Sequence, residues 1–194
     1  MDISETEGML VIVSAPSGAG KTTIVKHLLM SGLNLGFSVS VTNRARRSNE
    51  TEGRDYYFVN TDAFNQHISN NELLEWQEVY PGSFYGTLKN EVDRLLALKK
   101  NIIFDVDVVG GINIKNVYKD RALAIFIRPP SLEALAHRLR NRNTDTEEII
   151  AHRLSKASWE MEFANKFDVI IINDDLEQAK SEAKARVEAF LLKK

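Results

Sequence analysis

The residues best suited to chemistry lie near the start of the chain, at positions 15–22, which read APSGAGKT. Glycines let a backbone wrap around an anion with several N–H groups pointing inward, and a helix that follows adds the partial positive charge of its N-terminus. Lys21 would reach the outer phosphates of a nucleoside triphosphate, and the Thr22 hydroxyl would ligate Mg²⁺. This pattern is typical of a P-loop that binds a nucleoside triphosphate through Ser17, Gly18, Ala19, Gly20, Lys21, Thr22 and Thr23.

The elements on either side of this segment support the same interpretation. The apolar run at positions 9–13 predicts a buried strand, and positions 24–29 have the apolar spacing of a helix. A P-loop requires this order of strand, glycine-rich turn and helix. Ala15 stands where the pattern usually has its first glycine, so this position cannot require a positive φ. The alternative interpretation is a chance glycine turn before a helix.

Composition limits the class of protein. The chain has 194 residues, 43% of them hydrophobic and 27% charged, which suits one core with small inserted subdomains. A net charge of −2 gives no basic field that would favour nucleic acid or a membrane, and nothing implies a protein partner. The absence of cysteine excludes disulfides and thiolate metal sites and fits a reducing compartment. Because the N-terminus is acidic and no apolar run reaches transmembrane length, the expected location is the cytoplasm.

Strands and helices alternate along the chain, which predicts an α/β fold with a mainly parallel sheet flanked by helices. Ser131 is predicted to cap one helix, and Thr144 and Glu147 have the spacing of a capping box for the next. The last helix is predicted at roughly 176–192. Four short apolar runs are predicted as buried strands: Leu10–Ser14, Ile102–Val106, Ala124–Ile127 and Val169–Ile172.

Two stretches break this alternation. Residues from about 38 to 89 are richer in polar and aromatic side chains, and they predict a small mixed subdomain inserted after the first strand–helix unit. Residues from about 138 to 153 are rich in arginine and are interrupted by the polar sequence NTD at 143–145. Both stretches carry groups that could bind anions.

Further blocks follow the P-loop in a defined order: SVSVTNRARR at 38–47, EGRDY at 52–56, LEW at 74–76, FYGT at 84–87 and FDVD at 104–107. This series resembles the guanylate kinase family, whose members transfer a phosphoryl group from ATP to GMP. The resemblance runs from about Met9 to Asp175. It implies a P-loop kinase fold in a single domain spanning 1–194, with a core (1–37, 90–137 and 154–194), a GMP-binding subdomain (about 38–89) and a helical lid (about 138–153).

The residue types suit the reaction that the resemblance implies. The acceptor is itself a phosphate and is largely anionic near neutral pH, so no strong general base is needed. The barrier comes mainly from bringing two anions together, and arginines and Mg²⁺ lower it. The implied substrates are ATP and GMP, and the implied cofactor is Mg²⁺. By resemblance the catalytic residues are Lys21, Arg44, Arg138, Arg142 and Arg153.

The resemblance assigns the acceptor site to the inserted subdomain. Arginine forks match phosphate geometry, and tyrosine hydroxyls add neutral donors. Guanine offers N1–H and a 2-amino group, and a carboxylate at Glu75 can accept from both. Without the other blocks, the arginines at 44–47 would read as a solvated basic turn and Glu75 as a surface glutamate. The implied ligands are Arg44, Arg47, Tyr56 and Tyr85 for the GMP phosphate, and Ser40, Glu75, Thr87 and Asp105 for the base.

A second arginine cluster is assigned to ATP. Arg138 and Arg142 are four residues apart, as on one helical face, and Arg153 comes from the next helix. They match a mobile lid that closes over the triphosphate and excludes water. The alternative interpretation is an amphipathic helix with a solvated basic face.

Three further residues complete the implied donor site. Asn173 matches the segment on the adenine side of ATP. Thr22 is the implied Mg²⁺ ligand. Asp107 follows an apolar strand and either contacts Mg²⁺ through water or caps a helix.

Two other functions remain open at this stage. A catalytically inactive guanylate-kinase-like binding module would keep the fold, although the intact P-loop argues against it. A P-loop kinase for another small phosphate acceptor would not need Glu75 and Asp105. The sequence YPGS at 80–83 is longer than the turn expected before the FYGT block, and no role is assigned to it.

Overall fold

The computed structural model describes residues 8–141 and 146–193, and a parallel sheet forms the centre of that part of the chain. The strand order is β2-β7-β1-β8-β9, with every neighbouring pair parallel. The strands are β1 (Leu10–Ser14), β2 (Leu35–Phe37), β7 (Asn101–Asp105), β8 (Ala122–Arg128) and β9 (Val169–Ile172).

The predicted strands are confirmed, with small changes in their bounds. Strands β1 and β9 match the prediction, β7 lies one residue earlier, and β8 is longer at both ends. The extension of β8 has a reason in pairing, because its first residue pairs with β1 and its last with β9. Every residue of β1 is buried, as expected for a strand covered on both faces.

Helices cover both faces of this sheet. On one face, α1 and α7 pack through residues such as Ile24 and Ala183, and on the other, α3 and α4 pack through Val92 and Ile114. No helix within the described ranges has both the length and the apolar character needed to cross a membrane. The helices are α1 (Lys21–Leu29), α2 (Thr61–Ser69), α3 (Lys89–Ala97), α4 (Val108–Tyr118), α5 (Leu132–Arg140), α6 (Glu147–Glu162) and α7 (Leu176–Leu191), with 3₁₀ turns at Lys119–Arg121 and Ala164–Lys166.

Helix caps correct one prediction and confirm another. Ser131 caps α5 as predicted, because its hydroxyl accepts a hydrogen bond from the Ala134 amide at 3.1 Å. Helix α6 is capped by Thr146, whose hydroxyl accepts from the Ile149 amide at 3.4 Å. The predicted capping box of Thr144 and Glu147 is therefore wrong, since Glu147 is the first helical residue; Thr144 itself lies outside the described residues.

A smaller mixed sheet lies between β2 and α3 in the chain. Its strand order is β4-β3-β6-β5, in which β3 and β4 are parallel and the other pairs antiparallel. It has its own apolar cluster, formed by Val41, Phe64, Leu73 and Leu88, with Phe64 supplied by α2. The strands are β3 (Val41–Thr42), β4 (Tyr57–Phe58), β5 (Leu73–Tyr80) and β6 (Ser83–Leu88).

The hairpin of β5 and β6 contains two irregularities in register. Leu73 pairs with Leu88 but Glu75 with Thr87, and Glu78 pairs with Phe84 but Tyr80 with Ser83. In each case β5 carries one extra residue, which is the arrangement of a β-bulge. The first bulge sets Glu75 directly opposite Thr87, which decides the contacts of the Glu75 carboxylate.

Candidate active site

A cleft of about 620 Å³ opens where the carboxyl end of the parallel sheet faces the smaller sheet and α6. This is the position at which parallel α/β sheets bind ligands, and the volume suits a small-molecule site. The cleft brings together most of the residues predicted for the site. Its lining includes Ser17, Gly18, Gly20, Lys21, Thr22, Thr23, Ser40, Arg44, Arg47, Tyr56, Glu75, Tyr85, Asp105, Asp107 and Arg153.

The P-loop forms the floor of the cleft. Strand β1 ends at Ser14 and α1 begins at Lys21, so the turn between them directs the helix N-terminus into the cleft. Gly18 and Gly20 have left-handed φ angles of 97° and 98°, which glycine adopts without cost, whereas Ala15 is not in this region. A helix N-terminus approached through such a turn is suited to bind phosphate.

Asn173 contacts the P-loop through its side chain. Its side-chain amide donates to the Ala19 carbonyl oxygen at 2.7 Å, and only 4% of the residue is exposed. The main-chain carbonyl oxygen of Asn173 accepts a hydrogen bond from the Arg138 guanidinium at 2.8 Å. Arg138 on α5 is thereby linked through Asn173 to the P-loop.

We expect Gly20→Ala to disable ATP binding and to lower the free energy of unfolding by about 2–4 kcal/mol. An alanine Cβ would stand 2.3 Å from the Asn173 amide nitrogen, and the residue would also have to keep a left-handed φ. Gly32→Ala is the matched control, because Gly32 has a φ of +75° with open space around it. Equal loss of stability in the two variants, measured by urea unfolding, would show that the close approach to Asn173 costs nothing.

Lys21, Thr22 and Asp105 form a contact group at the start of α1. The Lys21 ammonium lies 2.6 Å from one Asp105 carboxylate oxygen and donates to the Val106 carbonyl oxygen at 2.9 Å. The Thr22 hydroxyl donates to the other Asp105 oxygen at 3.3 Å. Burial alone would lower the pKa of Lys21, but the attraction and hydrogen bond of Asp105 outweigh it and the pKa is raised. The lysine therefore remains a cation.

The same group has the chemistry of a magnesium site. Mg²⁺ prefers oxygen ligands, and it is commonly held by a P-loop hydroxyl and a carboxylate at the end of a neighbouring strand. Thr22 and Asp105 supply both, on α1 and at the last residue of β7. The residues present fit Mg²⁺.

Asp107 and Glu75 lie together at the first turn of α4. Asp107 caps α4, because its carboxylate accepts from the Gly110 amide at 2.8 Å. A Cβ placed on Gly110 would stand 2.6 Å from a Glu75 carboxylate oxygen, so Glu75 lies against the first turn of α4. The sequence resemblance gave Asp105 to the base and Asp107 to the metal side. In the structure Asp105, the last residue of β7, contacts Lys21 and Thr22, whereas Asp107, at the start of α4, lies beside Glu75.

Glu75 is a buried carboxylate with one internal partner. Thr87 is fully buried, and its hydroxyl donates to Glu75 at 2.6 Å. Burial raises the pKa of Glu75 to about 7, the Thr87 hydrogen bond opposes this shift, and the charge of Asp107 adds to it. Glu75 also lines the cleft, where its carboxylate oxygens could accept hydrogen bonds from two donors.

Arg44 is the centre of the predicted acceptor-phosphate group. Its Nε donates to the Tyr85 hydroxyl at 2.9 Å, and its guanidinium carbon lies 5.2 Å from the centre of the Tyr56 ring. The two tyrosine rings meet edge to face at 5.8 Å. Ser40 is buried at the cleft wall, and Arg47 is more exposed at its rim.

Sequence reasoning missed Glu50, which holds this arginine in place. Both Glu50 oxygens accept from the Arg44 guanidinium, at 2.8 and 2.9 Å, and one also accepts from the Arg47 amide at 2.9 Å. The hydrogen bond that Arg44 donates to Glu50 is the main reason that the pKa of Arg44 is raised. Position 50 has no pattern of its own in the sequence, so only the folded turn reveals it.

The structure describes two of the three arginines that were predicted for the lid. Helix α5 ends at Arg140, and Arg142, which was predicted to share a helical face with Arg138, lies outside the described residues. Arg153 lines the cleft from α6. Two further residues of that face, Lys156 and Glu160, also line the cleft. Their spacing from Arg153, three and seven residues, is a helical signal that could have identified them.

A parallel sheet with a P-loop, facing an arginine–tyrosine group across one cleft, defines a P-loop phosphotransferase. The family model described as guanylate kinase matches residues 7–190. A guanylate kinase from Bacteroides fragilis is 53% identical over 185 residues, which cover 95% of this chain and 91% of the relative. One from Porphyromonas gingivalis is 49% identical, covering 95% of this chain and 98% of the relative. The chain therefore belongs to the guanylate kinase family.

A solved structure agrees with this assignment. The crystal structure of guanylate kinase from Anaplasma phagocytophilum matches with a TM-score of 0.76 at 30% sequence identity. The match covers 95% of this chain and 87% of the other. The chain therefore resembles guanylate kinases in its α/β fold as well as in its sequence.

Proposed function

We propose that this enzyme transfers the γ-phosphoryl group of Mg²⁺–ATP to GMP, giving ADP and GDP. The observation that carries the proposal is the pairing of a P-loop with a buried carboxylate and an arginine–tyrosine group in one cleft. The first would hold a triphosphate, the second would read guanine, and the third would hold the acceptor phosphate.

The donor phosphates are proposed to lie against the P-loop amides at the start of α1, with the Lys21 ammonium on the outer phosphates. Thr22 and Asp105 would hold Mg²⁺, which would supply positive charge to offset that of the phosphates. Asp105 keeps the Lys21 ammonium charged and at the mouth of the loop. Asn173 acts by holding the loop through Ala19.

GMP is proposed to bind with its base against Glu75. The carboxylate would accept from guanine N1–H and the 2-amino group, while Thr87 fixes its orientation. Asp107, beside Glu75 at the start of α4, is proposed as the second acidic group near the base, and Ser40 supplies a hydroxyl at the wall. Adenine has no N1–H or 2-amino group and would leave the carboxylate without partners, which is costly in a buried site.

The acceptor phosphate is proposed to bind Arg44, Arg47, Tyr56 and Tyr85. Two anions must approach in line for the transfer, and positive charge on both sides of the cleft reduces their repulsion. Arg44 is held rigidly by Glu50 and Tyr85, so little freedom is lost when phosphate binds. The reaction needs no covalent enzyme intermediate and no strong base.

Arg138, Arg142 and Arg153 are proposed to act on the triphosphate when the lid closes. Arg153 has the best support, because it already faces the cleft. Arg138 would first have to leave the carbonyl oxygens at the end of β9 that it now contacts. We place the reaction in the cytoplasm, in keeping with a sequence that has no cysteine, and propose no nucleic acid or protein partner.

The test is Mg²⁺-dependent ADP formation from ATP with GMP, AMP, UMP and CMP as separate acceptors. We expect turnover with GMP and rates with AMP lower by about 10³-fold or more, because a site built to hydrogen-bond one base discriminates strongly. Equal rates with AMP would contradict the guanine assignment. Binding of GMP without turnover of any acceptor would instead support an inactive binding module.

A further inference from the structure

A lysine on α6 crosses the cleft to the smaller sheet. The Lys156 ammonium donates to the Val79 carbonyl oxygen at 2.8 Å and lies 4.4 Å from the centre of the Tyr80 ring. Lys156 and Val79 are 77 positions apart in the chain. None of the roles proposed above uses this contact.

The Val79 carbonyl is exposed to this contact by the second bulge of β5. Since Glu78 pairs with Phe84 and Tyr80 with Ser83, Val79 is the extra residue that stands outside the regular ladder. Gly82, with a φ of +74°, closes the tight turn that follows. The YPGS segment, to which the sequence assigned no role, thus forms the tip of a hairpin that reaches α6.

Charged groups from both parts of the cleft surround this lysine. Glu160, one turn later on α6, is buried, and burial raises its pKa to about 7 while Lys156 and Lys21 oppose that shift. Burial lowers the pKa of Lys156, and the negative charges of Glu160 and Asp107 oppose this. The ammonium is half-buried, so its hydrogen bond to a carbonyl oxygen counts for more than one in water.

The contact joins two elements that each carry a residue of the candidate site. Helix α6 carries Arg153 into the cleft, and β5 carries Glu75, four residues before Val79. A second contact lies beside the first, because the Tyr80 ring is 6.2 Å from the ring of His152 on α6. The hairpin tip is therefore held against α6 by a hydrogen bond, a cation–π contact and a ring contact.

We propose that Lys156 is a positioning residue for the acceptor: by holding the β5–β6 hairpin tip against α6, it fixes the guanine-reading strand relative to the donor side of the cleft. The inference rests on the proposed function for its kinetic consequence. The contact itself does not depend on which acceptor is used.

The kinetic test is Lys156→Met, which keeps the aliphatic stem but removes the ammonium. We expect the KM for GMP to rise about tenfold, the loss expected for one charged hydrogen bond, while the KM for ATP stays within about twofold. Lys156→Arg should restore most of the affinity, because arginine can still donate to the carbonyl and stack on Tyr80. Lys184→Met, on α7, is the matched control and should leave both constants unchanged.

A distance measurement tests the contact without relying on catalysis. Because the sequence has no cysteine, spin labels can be placed at Pro81→Cys on the hairpin tip and Ser158→Cys on α6. We expect a narrow distance distribution with Lys156 present and a broader, longer one after Lys156→Met. Broadening in a protein that does not phosphorylate GMP would refute the proposed function and leave the contact standing.

Two results would overturn the inference. One is an unchanged distance distribution together with an unchanged KM for GMP in Lys156→Met. The other is an equal rise in the KM values of both substrates with a lowered melting temperature, which would mean that Lys156 only stabilises α6.

Discussion

Replacing Lys21 by methionine is expected to lower kcat about 10³-fold. The ammonium is the cation proposed to contact the outer phosphates, and methionine retains most of the length of the side chain without its charge. The KM for ATP should also rise, whereas the affinity for GMP, measured by calorimetry, should change little. This separates a donor-side loss from general damage to the cleft.

Stability provides a check on the same variant. Asp105 would lose its closest partner but keep the Thr22 hydroxyl and some access to water, since 18% of its side chain is exposed. A loss of about 1–3 kcal/mol in the free energy of unfolding is expected, and the protein should remain folded. Lys26→Met, an exposed position on the same helix, is the control and should retain full activity. Activity close to that of the parent protein in Lys21→Met would refute the donor-site assignment.

Glu75→Gln is expected to lose activity and gain stability at the same time. An amide presents one acceptor where the carboxylate presents two, so kcat/KM for GMP should fall about 10²–10⁴-fold and the preference over AMP should largely vanish. Ionising a buried carboxyl costs free energy, and the pKa rise from 4.5 to about 7 sets that cost at up to about 3 kcal/mol. Urea unfolding at pH 8 should therefore show a more stable variant.

The pH dependence of this gain has a defined sign. The folded-state pKa of Glu75 lies above its unfolded value, so the parent protein carries the full penalty above pH 7 and none below about pH 4.5. The advantage of Glu75→Gln should shrink as the pH falls through that window. Glu160 also has a pKa of about 7, so Glu160→Gln is measured in parallel. A stability difference that is the same at pH 8 and pH 4.5 would rule out a buried ionised carboxylate at position 75.

Glu78→Gln is the matched activity control on the same strand. Its side chain is exposed and accepts from the Gly82 amide, which glutamine can also do. Unchanged acceptor preference in Glu75→Gln, with Glu78→Gln behaving like the parent protein, would mean that another group reads the base.

Local sequence patterns predicted the parts of this protein that depend on backbone conformation and residue type. The P-loop, the buried strands and the Ser131 cap follow from glycine placement, apolar runs and short polar caps, which act over a few residues. The family blocks also named most of the residues that line the cleft. The capping box at Thr144 failed because two hydroxyl residues stand near the start of α6, and the pattern alone did not decide between them.

Contacts between distant residues were decided only by the tertiary structure. The sequence does not say that Asn173 holds Ala19 across 154 positions, or that Asp105 contacts Lys21 while Asp107 caps α4. Such contacts depend on strand register, bulges and the placement of helices on the sheet, and a shift of one residue in a strand reverses the face of every side chain. The sequence by itself determined which chemical groups are available to this protein. Only the tertiary structure decided which of these groups are in contact, because each contact depends on how the whole core packs.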